Sequence, residues 1–344
     1  MSEGLQKKSE QKAIDLIKAK LSRIQPGALA QRLMEGDRNA LSQAITLVES
    51  THPAHGEAAA EIIRLCLPHA GNSIRIGITG VPGVGKSSFI EEFGTYVVEQ
   101  GRRVAVLAID PSSPISGGSI LGDKTRMDKL ASNEKAFIRP SPSSQTLGGV
   151  ARKTRETILL CEAGGYDTIF VETVGVGQSE TTVHGMTDFF LLLMLAGAGD
   201  QLQGIKRGIM EMCDAMLITK ADGDNAPKAQ RAKSEYISAL HLFPAKPSGW
   251  TPRVDVVSSL EKKGMDVAWK MVTDYEAWMK ERNLFEANRQ AQDLHWMHET
   301  VKEELIARFY SLEENIQRIA AIEQAIREKR LSPFEGATQL LGSN

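Results

Sequence analysis

The chain has 344 residues, 42% of them hydrophobic and 24% charged, with 41 Lys and Arg set against 43 Asp and Glu. A net charge of −2 removes any general electrostatic drive toward nucleic acid or an anionic membrane, and the apolar content is that of an ordinary folded protein. Cys66, Cys161 and Cys213 are dispersed with no C-x-x-C pair, which argues against a disulfide framework and fits a reducing compartment.

The length suits one large α/β domain with helical additions. Met1 to Lys20 mixes Lys with Glu and Asp. It lacks both the apolar core of a signal peptide and the Arg-rich, acid-poor composition of a transit peptide, so a soluble, cytoplasmic protein is expected. From about Glu10 to Leu67 apolar residues recur at helical spacing: Ile14, Ile17 and Leu21, then Leu41, Ile45 and Val48, then Ile62, Ile63 and Leu65. Three or four helices are expected there, ahead of any sheet.

Ile74–Ile78 alternates into a short apolar strand, and Gly80-Val81-Pro82-Gly83-Val84-Gly85-Lys86-Ser87 follows it directly. This fits the phosphate-loop pattern G-x-x-x-x-G-K-[ST] at every fixed position. Glycines at 80, 83 and 85 keep side chains away, so that backbone N–H groups can wrap a polyphosphate. Lys86 supplies a positive charge for the β- and γ-phosphates, Ser87 a hydroxyl for Mg²⁺, and Ser87 to Glu99 reads as a helix whose N-terminus faces the anion.

Val104–Ile109 is a second apolar strand and ends in Asp110. Beyond it, Pro111 to Met127 is rich in glycine and serine, the composition of a loop that orders around metal and γ-phosphate; Asp110 and Asp123 are its candidate metal-shell acids. Further strands are expected at Ala136–Ile138, Thr168–Val171, Phe189–Leu195, Ala215–Ile218 and Val254–Val257. Several run without polar interruption, as parallel strands covered on both faces do. The alternation with helices predicts a parallel α/β sheet with its ligand at the carboxyl ends of the strands.

Three of those strand ends carry further chemistry. Glu172-Thr173-Val174-Gly175 occupies the slot where many GTPases have D-x-x-G, an acid that orients a metal-bound water and a glycine N–H that senses the γ-phosphate. Glu in place of Asp adds a methylene and favours contact through water. Thr219-Lys220-Ala221-Asp222 resembles the guanine-reading N-K-x-D with Thr for Asn. The Asp222 oxygens can accept from guanine N1–H and N2–H₂, which adenine does not present, and the Lys220 stem can lie along the base. Ser258-Ser259-Leu260 resembles the S-A-[KL] loop that touches the guanine carbonyl.

After Gly264 the pattern is helical to the end: Val267–Met279, Asn288–Phe309, Leu312–Glu328 and Pro333–Leu341. These helices need an apolar surface, either their own domain or a second subunit. His295 and His298 lie three apart on one of them without a nearby acid or cysteine set, and a packing or interface role is favoured over a metal site.

Taken together, GVPGVGKSS, AIDPSSPISGGSILGDKTRM, FVETVGVGQSE, GAGDQLQGIKRGI and TKADGDN resemble the MeaB/MMAA family of GTPases, from roughly Asp37 to Met297. These are G-protein chaperones of adenosylcobalamin-dependent methylmalonyl-CoA mutase, long labelled ArgK-type transport proteins. The resemblance implies a P-loop GTPase of the SIMIBI class: a helical extension over 1–70, the GTPase domain over 71–264 and a dimerising helical arm over 265–344. It further implies slow Mg²⁺-dependent GTP hydrolysis, accelerated by the mutase, which gates cofactor loading and protects the mutase. By the same resemblance Gly80 to Ser88 hold the phosphates, Ser87, Asp110, Asp123 and Glu172 surround Mg²⁺, and Lys220, Asp222 and Ser258 to Leu260 hold the base. Gly197 to Lys206 resembles a third switch loop, with Lys206 a candidate for stabilising transition-state charge; Gln201 stands where many relatives carry Glu. Gln178 is a candidate for orienting the water by position alone.

Four other functions compete with this one. A nickel-delivery GTPase usually shows His-rich tracts, absent here. Dimeric ATPases of the partitioning or nitrogenase-iron-protein kind carry an extra lysine second in the loop, where this chain has Val81. A scaffold that holds nucleotide only for stability would show no turnover, and a kinase tied to amino-acid transport would need an acceptor pocket.

Overall fold

The structure, a computed structural model, describes residues 25–50, 52–109, 127–140, 147–173, 179–197 and 207–342. The chain divides into two compact units, Met1–Arg289 and Gln290–Asn344.

Among the described residues the first unit opens with three helices, α1 (Pro26–Met34), α2 (Arg38–Glu49) and α3 (Pro53–Cys66). Pro26 begins α1 because its fixed φ suits the first helical position, where no N–H is needed. Asp37 caps α2 by accepting from the Asn39 and Ala40 amides, and Arg32 holds its carboxylate. Leu29, Leu33, Leu41, Ile45, Val48 and Ile62 form the buried faces of these helices. Those faces pack on one another and on α6 (Leu147–Ala163).

Seven parallel strands follow: β1 (Ile74–Gly80), β2 (Val104–Ile109), β3 (Ala136–Arg139), β4 (Thr168–Thr173), β5 (Phe189–Leu195), β6 (Ala215–Thr219) and β7 (Arg253–Val256). Their order in the sheet is β3-β2-β4-β1-β5-β6-β7, with every adjacent pair parallel. This is the doubly wound parallel sheet that the sequence pattern predicts, with each predicted strand in place to within two residues at either end. From the central β1 the chain crosses to β2 on one side of the sheet, and the later strands β5, β6 and β7 build out the other. The carboxyl ends flanking β1 therefore part above the sheet, which is where such folds take ligands.

Among the described residues the other α-helices of this unit are α4 (Lys86–Glu99), α5 (Asp128–Ala131), α7 (Ser179–His184), α8 (Arg207–Met212), α9 (Ala226–Leu240) and α10 (Met265–Glu281). Phe89, Phe93 and Val97 of α4 and Met265, Met271, Val272 and Tyr275 of α10 share one core with the strands. Phe93 stacks on Phe170 at 5.3 Å, and Phe189 meets Tyr275 edge-on at 5.2 Å. The helix after Gly264, expected in a separate arm, thus lies in the first unit, because its heavy aromatic and methionine face has the sheet to cover.

At the amino ends of the strands Asp188 is sealed from solvent between two guanidinium groups. Arg75 Nη2 donates to Oδ1 at 2.7 Å, and Arg289 donates from Nε and Nη2 at 2.8 and 2.6 Å. Arg289 also donates to the carbonyls of Gly71 and Ser73. It belongs to α11 (Leu284–Ser311), which continues into the second unit, where α12 (Glu313–Arg327) and α13 (Pro333–Leu341) follow and pack on each other. There, Ser332 and Glu335 form a capping box, and a Cβ on Gly336 would come within 2.8 Å of Ile322, which is how closely α13 approaches α12.

Burial pushes the Asp188 carboxyl up, but Arg75 and then Arg289 outweigh it and hold the group below the usual carboxylate range. Its contribution to stability is therefore complete above the ordinary carboxylate pKa and is lost as pH falls through the lowered folded value. Replacing one cation leaves the buried anion under-compensated, so Arg289→Met is expected to cost roughly 3 kcal/mol in urea unfolding at neutral pH. A loss below about 1 kcal/mol would show that Arg75 alone satisfies Asp188.

Candidate functional site

β1 delivers the chain into a turn that only small residues can make. A Cβ on Gly80 would lie 2.6 Å from the Leu193 carbonyl of the neighbouring strand β5. Five residues on, Gly85 has φ +91° and is the N-cap of α4, with no side-chain cap hydrogen bond. The first amides of a helix have no carbonyl partner within it. Among the described residues no side chain caps them either, and the helix end favours an anion.

Lys86, the first residue of α4, donates from Nζ to the Gly80 carbonyl at 2.9 Å, folding its ammonium back over the loop. Burial pulls its pKa down, while the Glu172 and Glu180 carboxylates pull it back up. Glu172 is buried at the end of β4 and Glu180 is buried in α7. The sequence assigns Glu172 a role but Glu180 none; the only signal for Glu180 is that it closes the string FVETVGVGQSE that carries the resemblance. Thr173 donates to Thr79 Oγ1 at 2.9 Å, tying the ends of β4 and β1 together beside the loop.

Thr219 ends β6, in the position where the guanine-reading pattern carries Asn. Its hydroxyl is buried, 2.7 Å from the Val84 carbonyl of the phosphate loop and 3.2 Å from the Met194 carbonyl of β5. Lys220 follows at φ +56°, its carbonyl accepting from Asn225 Nδ2 at 2.7 Å. A Cβ placed on Gly85 would meet its Cε at 3.9 Å, so the stem of Lys220 runs alongside the phosphate loop. Asp222 Oδ2 accepts from the Ser258 hydroxyl at 2.6 Å, and Ser258 Oγ in turn accepts from the Glu261 amide at 3.1 Å. Ser258 and Lys263 exchange backbone hydrogen bonds, so residues 258–263 form a closed hairpin beyond β7.

These parts enclose a single cavity of about 430 Å³. Val84, Gly85, Ser88, Glu91 and Glu92 line it from the phosphate loop and α4, Thr219, Lys220 and Asp222 from the end of β6 and the turn after it, and Ser259 and Leu260 from the hairpin. The two glutamates escaped the sequence analysis. Their signal was helical spacing alone, three and four residues after Ser88 on the phosphate-loop helix. The structure thus brings Gly80, Val81, Pro82, Gly83, Val84, Gly85, Lys86, Ser87 and Ser88 into one loop and helix start, with Glu172 beside Lys86, and places Asp222 and Ser258 in hydrogen-bond contact. Asp110, Asp123, Gly175, Gln178, Gln201 and Lys206 lie outside the described residues. His295 and His298 are exposed on α11 with His295 edge-on to Trp296, and among the described residues no group of three or more His, Cys, Asp or Glu is arranged to hold a metal.

The Thr219 hydroxyl links the phosphate loop to the end of β6, the strand that leads into Lys220 and Asp222. Thr219→Val keeps the shape and removes the donor, leaving the Val84 carbonyl without it. The expected loss is about 1 kcal/mol, a roughly fivefold weaker uptake of guanosine diphosphate by calorimetry, with Thr219→Ser close to the parent protein. Equal affinity for the Val and Ser variants would remove the link.

The comparisons with known proteins agree with this geometry. The family model described as methylmalonyl-CoA mutase-associated GTPase MeaB matches residues 41–314. The GTPase ArgK of Escherichia coli (strain K12) is 46% identical over 310 residues, covering 90% of this chain and 94% of that protein. A Mus musculus protein described as methylmalonic aciduria type A homolog, mitochondrial, is 44% identical over 319 residues, covering 90% of this chain and 77% of its own. A crystal structure described as LAO/AO transport system kinase shares 39% identity and a TM-score of 0.74, covering 92% of this chain and 96% of that one. A phosphate loop, a parallel sheet wound about it and a match over most of the length leave one assignment: the chain belongs to the MeaB family of P-loop GTPases, enzymes that hydrolyse GTP.

Proposed function

We propose that this protein hydrolyses GTP as the chaperone of an adenosylcobalamin-dependent methylmalonyl-CoA mutase, or a closely related acyl-CoA mutase. In that role it gates cofactor loading and protects the mutase. The observation that carries the nucleotide part is the cavity in which the uncapped start of α4 and Asp222, held by Ser258, share one ligand-sized space. The partner is supported by the description of the matching family and by the mouse relative.

On this reading the amides of residues 83–88 and the Lys86 ammonium hold the β- and γ-phosphates. Lys86 needs only to exchange the Gly80 carbonyl for phosphate oxygen, a change that moves its charge toward the leaving phosphoryl. Asp222, with one oxygen fixed by Ser258, accepts from the guanine edge, and Ser259 and Leu260 close over the base. The donor set fits Mg²⁺, a hard cation that takes oxygen ligands: the Ser87 hydroxyl and the Glu172 carboxylate, joined by Asp110 and Asp123. Bound there, Mg²⁺ would neutralise charge developing on the β- and γ-phosphates. Lys206 is proposed to add a further positive charge to the transition state, and Gln178 to orient the attacking water.

We assign a homodimer to the second unit. Leu294, Met297, Val301 and Leu305 recur every three or four residues along α11 and are each at least half exposed, a stripe suited to a second copy. Among the described residues no helix is long and apolar enough to cross a membrane, so this stripe is not read as a span.

Two measurements test the assignment. Purified chain mixed with methylmalonyl-CoA mutase is expected to co-elute with it and to turn over GTP faster than alone; neither effect with any acyl-CoA mutase would remove the partner. Asp222→Asn is expected to shift preference from GTP toward XTP, since the amide can donate to the xanthine oxygen. An unchanged preference for GTP would take the base from Asp222.

A further inference from the structure

We propose that Glu92 is a positioning residue for the nucleotide. Through an ion pair with Lys262 it straps the base-side hairpin 258–263 to the helix that holds the phosphates, and so sets how fast bound guanosine diphosphate leaves. The inference rests on the assignment of hairpin 258–263 to the base.

Glu92 lies on α4, one turn beyond Ser88, and lines the cavity together with Ser259 and Leu260. Its side chain is 12% exposed, and its two oxygens serve two different elements. Oε2 pairs with Lys262 Nζ at 3.1 Å and Oε1 with Lys129 Nζ at 3.3 Å. The adjacent Glu91 accepts the Lys129 amide at 3.0 Å, which fixes the start of α5 against the same turn of α4. Lys262 is therefore the arm that reaches the hairpin, and Lys129 the arm that does not.

The hairpin itself shows why a lysine at this position is informative. Lys262 has φ +54°, a left-handed conformation that Asn or Gly adopts more easily than a long side chain. The backbone there gains nothing from lysine, whereas the ammonium group gains a carboxylate with little exposure to water. Within the hairpin, Ser258 and Lys263 close the turn through their backbones, and Ser258 holds Asp222. A hairpin that swings away from α4 would carry Ser258, and with it the orientation of Asp222, off the base. The Glu92–Lys262 pair opposes that swing across the mouth of the cavity. Because both lysines are largely exposed, the strap is weak and screened by salt. It would thus affect the lifetime of the complex rather than the fold.

The test is release of a fluorescent GDP analogue from the full chain at low and high salt, with thermal unfolding measured alongside. Glu92→Gln and Lys262→Asn are each expected to speed release about two- to fivefold at low salt. The double variant is expected to be no faster than either single one, because both remove the same pair. Lys262→Asn should unfold at the parent temperature or above, since Asn suits the left-handed turn. Lys262→Arg should retain the parent rate and Lys129→Met should not exceed it. High salt should bring the parent protein toward the variants while leaving the variants unchanged. Normal GDP uptake with parent-like release from Glu92→Gln and Lys262→Asn, or additive effects in the double variant, overturns the strap and leaves the nucleotide site standing. If Asp222→Asn and Ser258→Ala leave guanine preference and affinity untouched, the hairpin does not hold the base and the strap falls with it.

Discussion

The first amides of α4 have no carbonyl partner within the helix, and Gly85 brings no side chain to supply one. Unpaired N–H groups and the positive end of the helix dipole favour a ligand rich in negative oxygen there. The surrounding architecture serves to keep that end of the helix open. Gly80 brings the loop against the Leu193 carbonyl, closer than any Cβ would allow. Phe89 and Phe93 anchor the rest of α4 in the core, so the helix cannot shift to satisfy its own amides.

A second constraint follows, because the phosphate loop and the residues Lys220 and Asp222 leave different strands, β1 and β6. Thr219 joins them with one hydroxyl within reach of two carbonyls, one in the phosphate loop and one in β5. Asn at this position would offer an amide with two donors. Thr offers a single proton on a shorter, β-branched side chain, and here it lies against the backbone of β5 as well as the loop. The register explains how this works: Thr219 pairs with Leu195 and Gly80 with Leu193, so β5 and β6 end level while β1 turns into its loop two residues earlier.

The sheet was legible in the sequence because its strands are almost wholly buried, and continuous apolar runs such as Phe189–Leu195 have no other ready explanation. The phosphate loop was legible because its glycines and lysine are dictated by geometry at fixed spacing. Glu180 and Glu92 were not. An acid on a helix is ordinarily solvated, and only the folded chain reveals that Glu180 is buried near Lys86 and that Glu92 is shared by two lysines. The placement of α10 was hidden for a related reason. Its apolar face has the same helical period whether it covers a sheet or another helix, and periodicity does not name the partner.

Buried charge is handled differently at the two ends of the sheet. At the amino ends, Asp188 is held by two arginines, and Asp214 accepts from Lys246 Nζ at 2.6 Å and from the Phe190 amide at 2.9 Å. Those contacts are made within the chain and need no ligand, so they lock β1, β5 and β6 in register from below. At the carboxyl ends, Lys86 rests on a backbone carbonyl, and Asp222 is steadied by one hydroxyl. Both are contacts that a nucleotide can replace or add to at little cost. An ammonium paired with a fully saturated carboxylate would be harder to recruit, because a phosphate would have to displace a stronger bond. Rigid, saturated charge beneath the sheet is what permits exchangeable charge above it: with the strands fixed from one end, the groups at the other can change partners without changing place.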